Sequence, residues 1–139
     1  DGSTSTAIGA ASVFEGQTVF VTGDLSFFYD SNAFWNRNIP ANFRVVVVNN
    51  RGGGIFRILP GPLHSGALDY FETPHELDAS HLCGMHGVSY RSASGIEELR
   101  ASLKDFFDDG DGPRLLEIFT PNEVNDQVLK DYFRFLDQG

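Results

Sequence analysis

The 139 residues carry a net charge of −9 and only two lysines, at 104 and 130; binding phosphates by charge needs clustered Lys and Arg, so neither nucleic acid nor an anionic membrane surface is an expected partner. Apolar residues make up 41%, with 13 Phe, enough for one core in a single domain over 1–139 without covalent staples. The lone cysteine, Cys83, excludes an internal disulfide and suits a reducing, cytoplasmic compartment, and no apolar run approaches the roughly 20 residues of a membrane span.

The chain opens Asp-Gly-Ser-Thr-Ser-Thr, small and polar, with neither Met nor an export signal, and reads as a piece of a longer protein. A first β-branched run covers 18–22, and the stretch after Gly23 leaves room for a crossover helix over about 27–37. Phe27, Phe28, Tyr29, Phe34 and Trp35 fall on that helix, where core or a subunit contact is expected. A second run, 43–48, contains Arg-Val-Val-Val-Val. Consecutive apolar positions of this kind mark a strand buried on both faces, as in a parallel sheet with helices on each side. Residues 60–66 (Pro-Gly-Pro-Leu-His-Ser-Gly) read as a connection, and Thr73-Pro74 before Glu76 as a helix start holding His75.

His81, Cys83 and His86 in "HLCGMH" offer three ligands where structural zinc takes four, so Cys83 reads as a packed thiol, with Leu82 and Met85 as core. His64 and His75 have no Ser or Cys partner for nucleophilic catalysis. A third run covers 87–91. Ile96, Leu99, Leu103 and Phe106 recur at helical spacing behind a Ser94/Glu97 capping box. "DDGDGP" at 108–113 is a connection; an EF-hand loop from Asp109 would need an acid where Thr120 stands. A P-loop fails because no glycine is followed by Lys-Ser or Lys-Thr. The fourth run is 115–119, and Thr120-Pro121 before Glu123 starts a helix with apolar positions Val124, Val128, Leu129, Tyr132 and Leu136. Strands alternating with helices predict an α/β three-layer domain: a mostly parallel central sheet with helices on both faces.

In such a sheet, ligands bind outside the carboxyl ends of the strands. Asp24 and Asn50 both stand at predicted strand ends, 26 positions apart, enough for a crossover between neighbours. One carboxylate, one amide oxygen and the carbonyl of Gly52 suit a hard octahedral cation that shares its shell with phosphates, namely Mg²⁺. Gly52, Gly53 and Gly54 allow close backbone approach to a diphosphate, and Ser26 would stand at a helix start, where an anion is favoured.

Gly23-Asp24-Leu25-Ser26 followed by Asn49-Asn50 resembles the signature of the thiamine-diphosphate-dependent enzymes, with Leu25 where that family commonly has glycine. "GDLSFFYD", "NNRGGGIF", "FETPHELD" and the opening "DGSTSTAIGAA" are most similar to its menaquinone-biosynthesis branch, with good specificity from Asp1 to about His86. The resemblance implies the C-terminal diphosphate-binding domain of a longer transferase. It implies Mg²⁺ (or Mn²⁺) on Asp24, Asn50 and Gly52, thiamine diphosphate held by Gly23, Asp24, Leu25, Ser26, Asn50, Gly52, Gly53, Gly54 and Ile55, and a substrate side of Ile55, Phe56 and Leu59. Arg51 and Arg57 flank the site and read as solvated arginines able to attract substrate carboxylates. The implied substrates are 2-oxoglutarate and isochorismate. No catalytic residue is expected in this chain, because the family's glutamate comes from the N-terminal domain of a neighbouring subunit of a homodimer or homotetramer. An acetolactate-synthase-like enzyme of the same cofactor class and a flavodoxin-like binding domain without cofactor remain the alternatives.

Overall fold

Arg-Val-Val-Val-Val lies inside the second strand of an all-parallel sheet, where β-branched side chains fit the pleat. The computed structural model describes residues 2–138, apart from the side chains of 62 and 63; Asp1 and Gly139, the outer bounds of the expected domain, lie outside the described residues. In chain order the elements are α1 (Ser3–Ala11), β1 (Thr18–Gly23), α2 (Asp24–Tyr29), a 3-10 turn (Ser31–Trp35), β2 (Phe43–Asn49), a second 3-10 turn (Gly54–Arg57), α3 (Pro60–His64), α4 (Leu68–Glu72), α5 (Ser80–His86), β3 (Ser89–Ala93), α6 (Ile96–Leu103), β4 (Arg114–Phe119) and α7 (Asn122–Leu136). They form two compact units, Asp1–Asn49 with Leu77–Phe119, and Asn50–Glu76 with Thr120–Gly139.

The first unit holds the sheet, in the order β1-β2-β4-β3. Val21, Val46, Leu116 and Arg91 stand side by side in register, so they share one face. The opposite face carries Phe43, Val45, Val47 and Leu115, all fully buried. It packs against Ile8 and Ala11 of α1, Phe27 of α2, Phe34 of the 3-10 turn, and Ala79 and Cys83 at α5. On the Arg91 face, Arg91 donates from Nη1 to the Ser102 carbonyl of α6 at 3.1 Å. Helices therefore flank both faces, although Val19, Val21 and Val48 at the β1 side stay exposed. The second unit packs α3, α4 and α7 around the Gly54–Arg57 turn.

Several local expectations change. The crossover helix begins at Asp24 and ends at Tyr29, not over 27–37. Asp30 leaves the helical region to accept from Ser5 N–H and Oγ, both at 2.7 Å, and Ser31 and Asn36 donate side-chain bonds to the carbonyls of Phe28 and Ala33, so polar side chains compete with the helix ladder. No helix starts at Thr73-Pro74. Thr73 instead ends α4 in a left-handed conformation, φ 49°, and the next helix waits for Ser80, whose N–H donates to the Asp78 carboxylate at 2.8 Å. At α6, Ser94 N–H donates to Glu98 rather than Glu97, and Phe106 is buried beyond the helix end. Thr120 Oγ1 accepts from the Asn125 side chain and caps no backbone N–H of α7. Residues 60–64 form α3 rather than plain loop. Met85 is 68% exposed, not core.

A helix at 3–11 went unexpected, although its buried Thr4, Ile8 and Ala11 stand at i, i+4 and i+7. Equally unexpected is the polar interior. Arg44, fully buried, donates to the carbonyls of Ala41, Phe106 and Asp108 at 2.6–2.8 Å and so fastens the loop before β4. Glu117 of β4, also fully buried, accepts from three neutral donors: Asn49 Nδ2 at 2.7 Å, Ala79 N–H at 2.9 Å and Tyr90 Oη at 2.7 Å. Asn49 also donates to the Leu77 carbonyl at 3.0 Å. Burial, reinforced by the Glu117 carboxylate, pushes both Tyr90 and Cys83 upward in pKa, Cys83 to about 12.

Two outcomes test this interior. Glu117→Ala removes the acceptor that Asn49, Ala79 and Tyr90 share, and urea titration is expected to show a loss of about 3–5 kcal/mol; a change below about 1 kcal/mol would show that the network contributes little. At pH 8 the Cys83 thiol stays protonated and out of reach, so a thiol reagent should label it only after denaturation. Its contribution to stability is whole below the unfolded value of 9.0 and is lost as pH rises towards about 12.

Candidate functional site

β1 and β2 are parallel neighbours, with Gly23 opposite Val48. Asp24 follows Gly23 directly and Asn50 follows Asn49, so both predicted oxygen donors leave the carboxyl ends of adjacent strands. Gly23 is extended (φ −86°, ψ 165°), and a Cβ there would meet nothing within 4 Å. Asp24 opens α2, is 2% exposed, and accepts the N–H of Leu25 on Oδ1 at 2.8 Å. Leu25 and Ser26 are half-buried on the same turn.

In the second unit, Asn50 stands half-buried beside Gly54, where an added Cβ would lie 2.7 Å from Asn50 Nδ2. Gly52 has φ 151°, and its missing Cβ would lie 2.8 Å from the carbonyl oxygen of Glu72. That carbonyl accepts the N–H of Gly53 at 2.7 Å, and the Gly52 carbonyl accepts the N–H of Gly54 at 3.1 Å. A Cβ on Gly53 would strike the Phe56 ring at 2.9 Å. Gly52 is therefore required by the backbone it packs against, a reason the sequence reading did not supply, whereas a Cβ on Gly53 or Gly54 would meet side chains, the Phe56 ring and the Asn50 amide.

Asn50, Gly54 and Ile55 meet at a cavity of about 190 Å³ in this unit, with Ile58 and, from α7, Asn125, Asp126 and Leu129. The α7 residues carried no sequence signal for a site. No Lys or Arg lines the cavity, and Asp126 is held by Lys130 Nζ at 2.8 Å. Of the substrate-side residues, Ile55 and Leu59 are exposed, while Phe56 is half-buried against Phe71, ring centroids 5.4 Å apart.

The flanking arginines divide. Arg51 is exposed and donates to Glu76 at 2.5 Å, a surface pair. Arg57 is not a solvated arginine: it donates to both carboxylate oxygens of the buried Glu72, which holds its guanidinium above the usual range. His75 lies in extended chain, its N–H donating to the Arg51 carbonyl at 3.3 Å. Among the described residues no group of three or more His, Cys, Asp and Glu could hold a metal. The donors that the sequence singles out are a buried carboxylate, an amide and a backbone carbonyl. This set fits a hard dication rather than zinc.

Residues 2–118 match the family described as thiamine pyrophosphate enzyme, C-terminal TPP binding domain. Among curated relatives, 2-succinyl-5-enolpyruvyl-6-hydroxy-3-cyclohexene-1-carboxylate synthase of Christiangramia forsetii is 52% identical over 98% of this chain and 24% of its own length. The protein of the same name from Flavobacterium johnsoniae is 50% identical over 98% of this chain and 25% of its own length. The likeness thus continues well past His86, and the chain spans about a quarter of those relatives. Among solved structures, a thiamine diphosphate-dependent 4-hydroxybenzoylformate decarboxylase from Rhodococcus jostii superposes with a TM-score of 0.67 at 25% identity, over 83% of this chain and 22% of that one. This chain belongs to the thiamine pyrophosphate enzymes, as a C-terminal TPP-binding domain.

Proposed function

We propose that this domain is the Mg²⁺-dependent, thiamine-diphosphate-binding part of a cytoplasmic synthase in menaquinone biosynthesis. That enzyme decarboxylates 2-oxoglutarate and transfers the resulting four-carbon unit to isochorismate. The observation that carries the reading is about 50% identity, along 98% of the chain, to relatives bearing that synthase's name. The decarboxylase likeness, at 25% identity, fits the cofactor class but not a closer relation. An acetolactate-synthase-like enzyme is accordingly the weaker reading. Membership of a TPP-binding family weighs against a flavodoxin-like domain without cofactor.

In this reading Asp24, Asn50 and the Gly52 carbonyl hold Mg²⁺, and Gly23, Leu25, Ser26, Gly53, Gly54 and Ile55 complete the diphosphate seat. The bound cofactor supplies an electron sink for decarboxylation. The chain's own contribution is to fix and orient: Asp24 is set by its burial and its bond from Leu25 N–H. Phe56, Ile55 and Leu59 offer apolar surface that keeps water from the substrate side. The proton-relaying glutamate and the rest of the substrate site belong to other parts of a homodimeric or homotetrameric enzyme. Among the described residues no helix is long and apolar enough to cross a membrane. The exposed Val19, Val21 and Val48 fit a sheet face covered by further protein.

Calorimetry on the protein at its natural length should show thiamine diphosphate binding that requires Mg²⁺ and weakens by at least about 100-fold in Asp24→Ala, beyond the 10–100-fold typical of losing an outer-shell partner. Metal-independent binding, or unchanged affinity in the variant, would sink the assignment of Asp24. The 139-residue chain alone is expected to release no CO₂ from 2-oxoglutarate; measurable turnover would place a catalytic residue within it.

A further inference from the structure

Three contacts of the glycine loop converge on one residue. Glu72, at the end of α4, is 2% exposed. Its carbonyl accepts the N–H of Gly53 at 2.7 Å and fills the space where a Cβ on Gly52 would stand. Its carboxylate accepts from Arg57 Nε and, at 3.2 Å, from Arg57 Nη2. Arg57 closes the 3-10 turn that begins at Gly54. A single residue thus holds the start of the loop through its backbone and the end of the loop through its side chain.

We propose that Glu72, clamped by Arg57, is a positioning residue for the Gly52 carbonyl and through it sets the affinity of the site for Mg²⁺. This inference rests on the cofactor reading above. Packing alone does not call for such a pair, because replacing a buried ion pair by apolar side chains is often neutral or stabilising. Fixing a backbone geometry does call for it. The backbone here is held against local preference: Arg51 has φ 63° and Thr73, which is β-branched, has φ 49°. Such conformations persist only where the surroundings over-determine them. The two residues stand on the strips that face each other, joined by Gly53 N–H to the Glu72 carbonyl and by His75 N–H to the Arg51 carbonyl. With both of its donor contacts spent on the buried Glu72 carboxylate, Arg57 is committed to this clamp rather than to a substrate carboxylate.

The test compares the natural-length protein with Arg57→Gln, Glu72→Gln and Arg57→Lys. Mg²⁺ is titrated at saturating thiamine diphosphate, thiamine diphosphate is titrated at saturating Mg²⁺, and amide exchange is followed at Gly53 and Gly54. The expected result is a loss of Mg²⁺ affinity of about 10-fold or more in both neutral variants, with faster exchange at Gly53 and a much smaller change in cofactor affinity once metal is saturating. Arg57→Lys keeps the charge but not the two-point grip and is expected to lose about threefold. Folded variants with wild-type Mg²⁺ affinity overturn the inference. So does an equal loss of both affinities in proportion to lost thermal stability, which would mark a merely structural role. If the neutral variants do not fold, Arg57→Lys decides on the same readings, unchanged Mg²⁺ affinity overturning the proposal. A wild-type protein without Mg²⁺-dependent binding removes the cofactor reading itself and this inference with it. Binding by the wild type that the variants leave intact removes only the inference.

Discussion

A carboxylate shut inside the sheet unit is the constraint on which the carboxyl end of the sheet depends. Glu117 lies on β4, receives Tyr90 from β3 and Asn49 from β2, and also takes the N–H of Ala79 ahead of α5. Burying a carboxylate is costly unless its oxygens are fully engaged, so all three donors must arrive together. Strand ends usually fray; here they are joined by side chains as well as by the backbone ladder.

The second unit is held together by other means. It has few buried apolar side chains, and its glycine loop is held by close backbone approach. At Gly52 the Glu72 carbonyl occupies the space a side chain would need, and at Gly53 a Cβ would press on the Phe56 ring. A loop that binds an anion and a loop that packs tightly both call for glycine, and only coordinates separate the two reasons. In this chain the packing reason is present whatever the loop binds.

Much of the fold could be read from residue patterns, because runs of Val, Ile, Leu and Phe bounded by Gly and Asn are strong strand signals and the four runs fell within two residues of β1 to β4. The parallel pairing of β1 and β2 followed from the length between them. Helix starts were less legible. Thr73-Pro74 has every local mark of a start, yet the preceding α4 uses Thr73 as its own terminator. At 3–11, Ser, Thr, Gly and Ala masked a helix whose buried positions only emerge once Asp30 is seen to bond Ser5. Asp24 and Asn50 were legible as strand-end oxygens. The supporting residues Glu117, Glu72 and Asn125 were not, since a charged or amide side chain in sequence carries no mark of being buried far along the chain from its partners.

The paired asparagines show how little separates scaffold from chemistry. Asn49 is fully buried and spends its amide on Glu117 and Leu77, whereas Asn50 stands half-buried beside Gly54 at a cavity. Asn49 is the last residue of β2 and Asn50 the first beyond it, so identical neighbours meet different environments. Inserting one residue within β2 would bring Val48 to the inward position, and deleting one would bring Arg51 to the position beside Gly54, so neither change leaves an asparagine at both. The doublet is thus a phase marker for the whole strand, sensitive to the number of residues in the run before it.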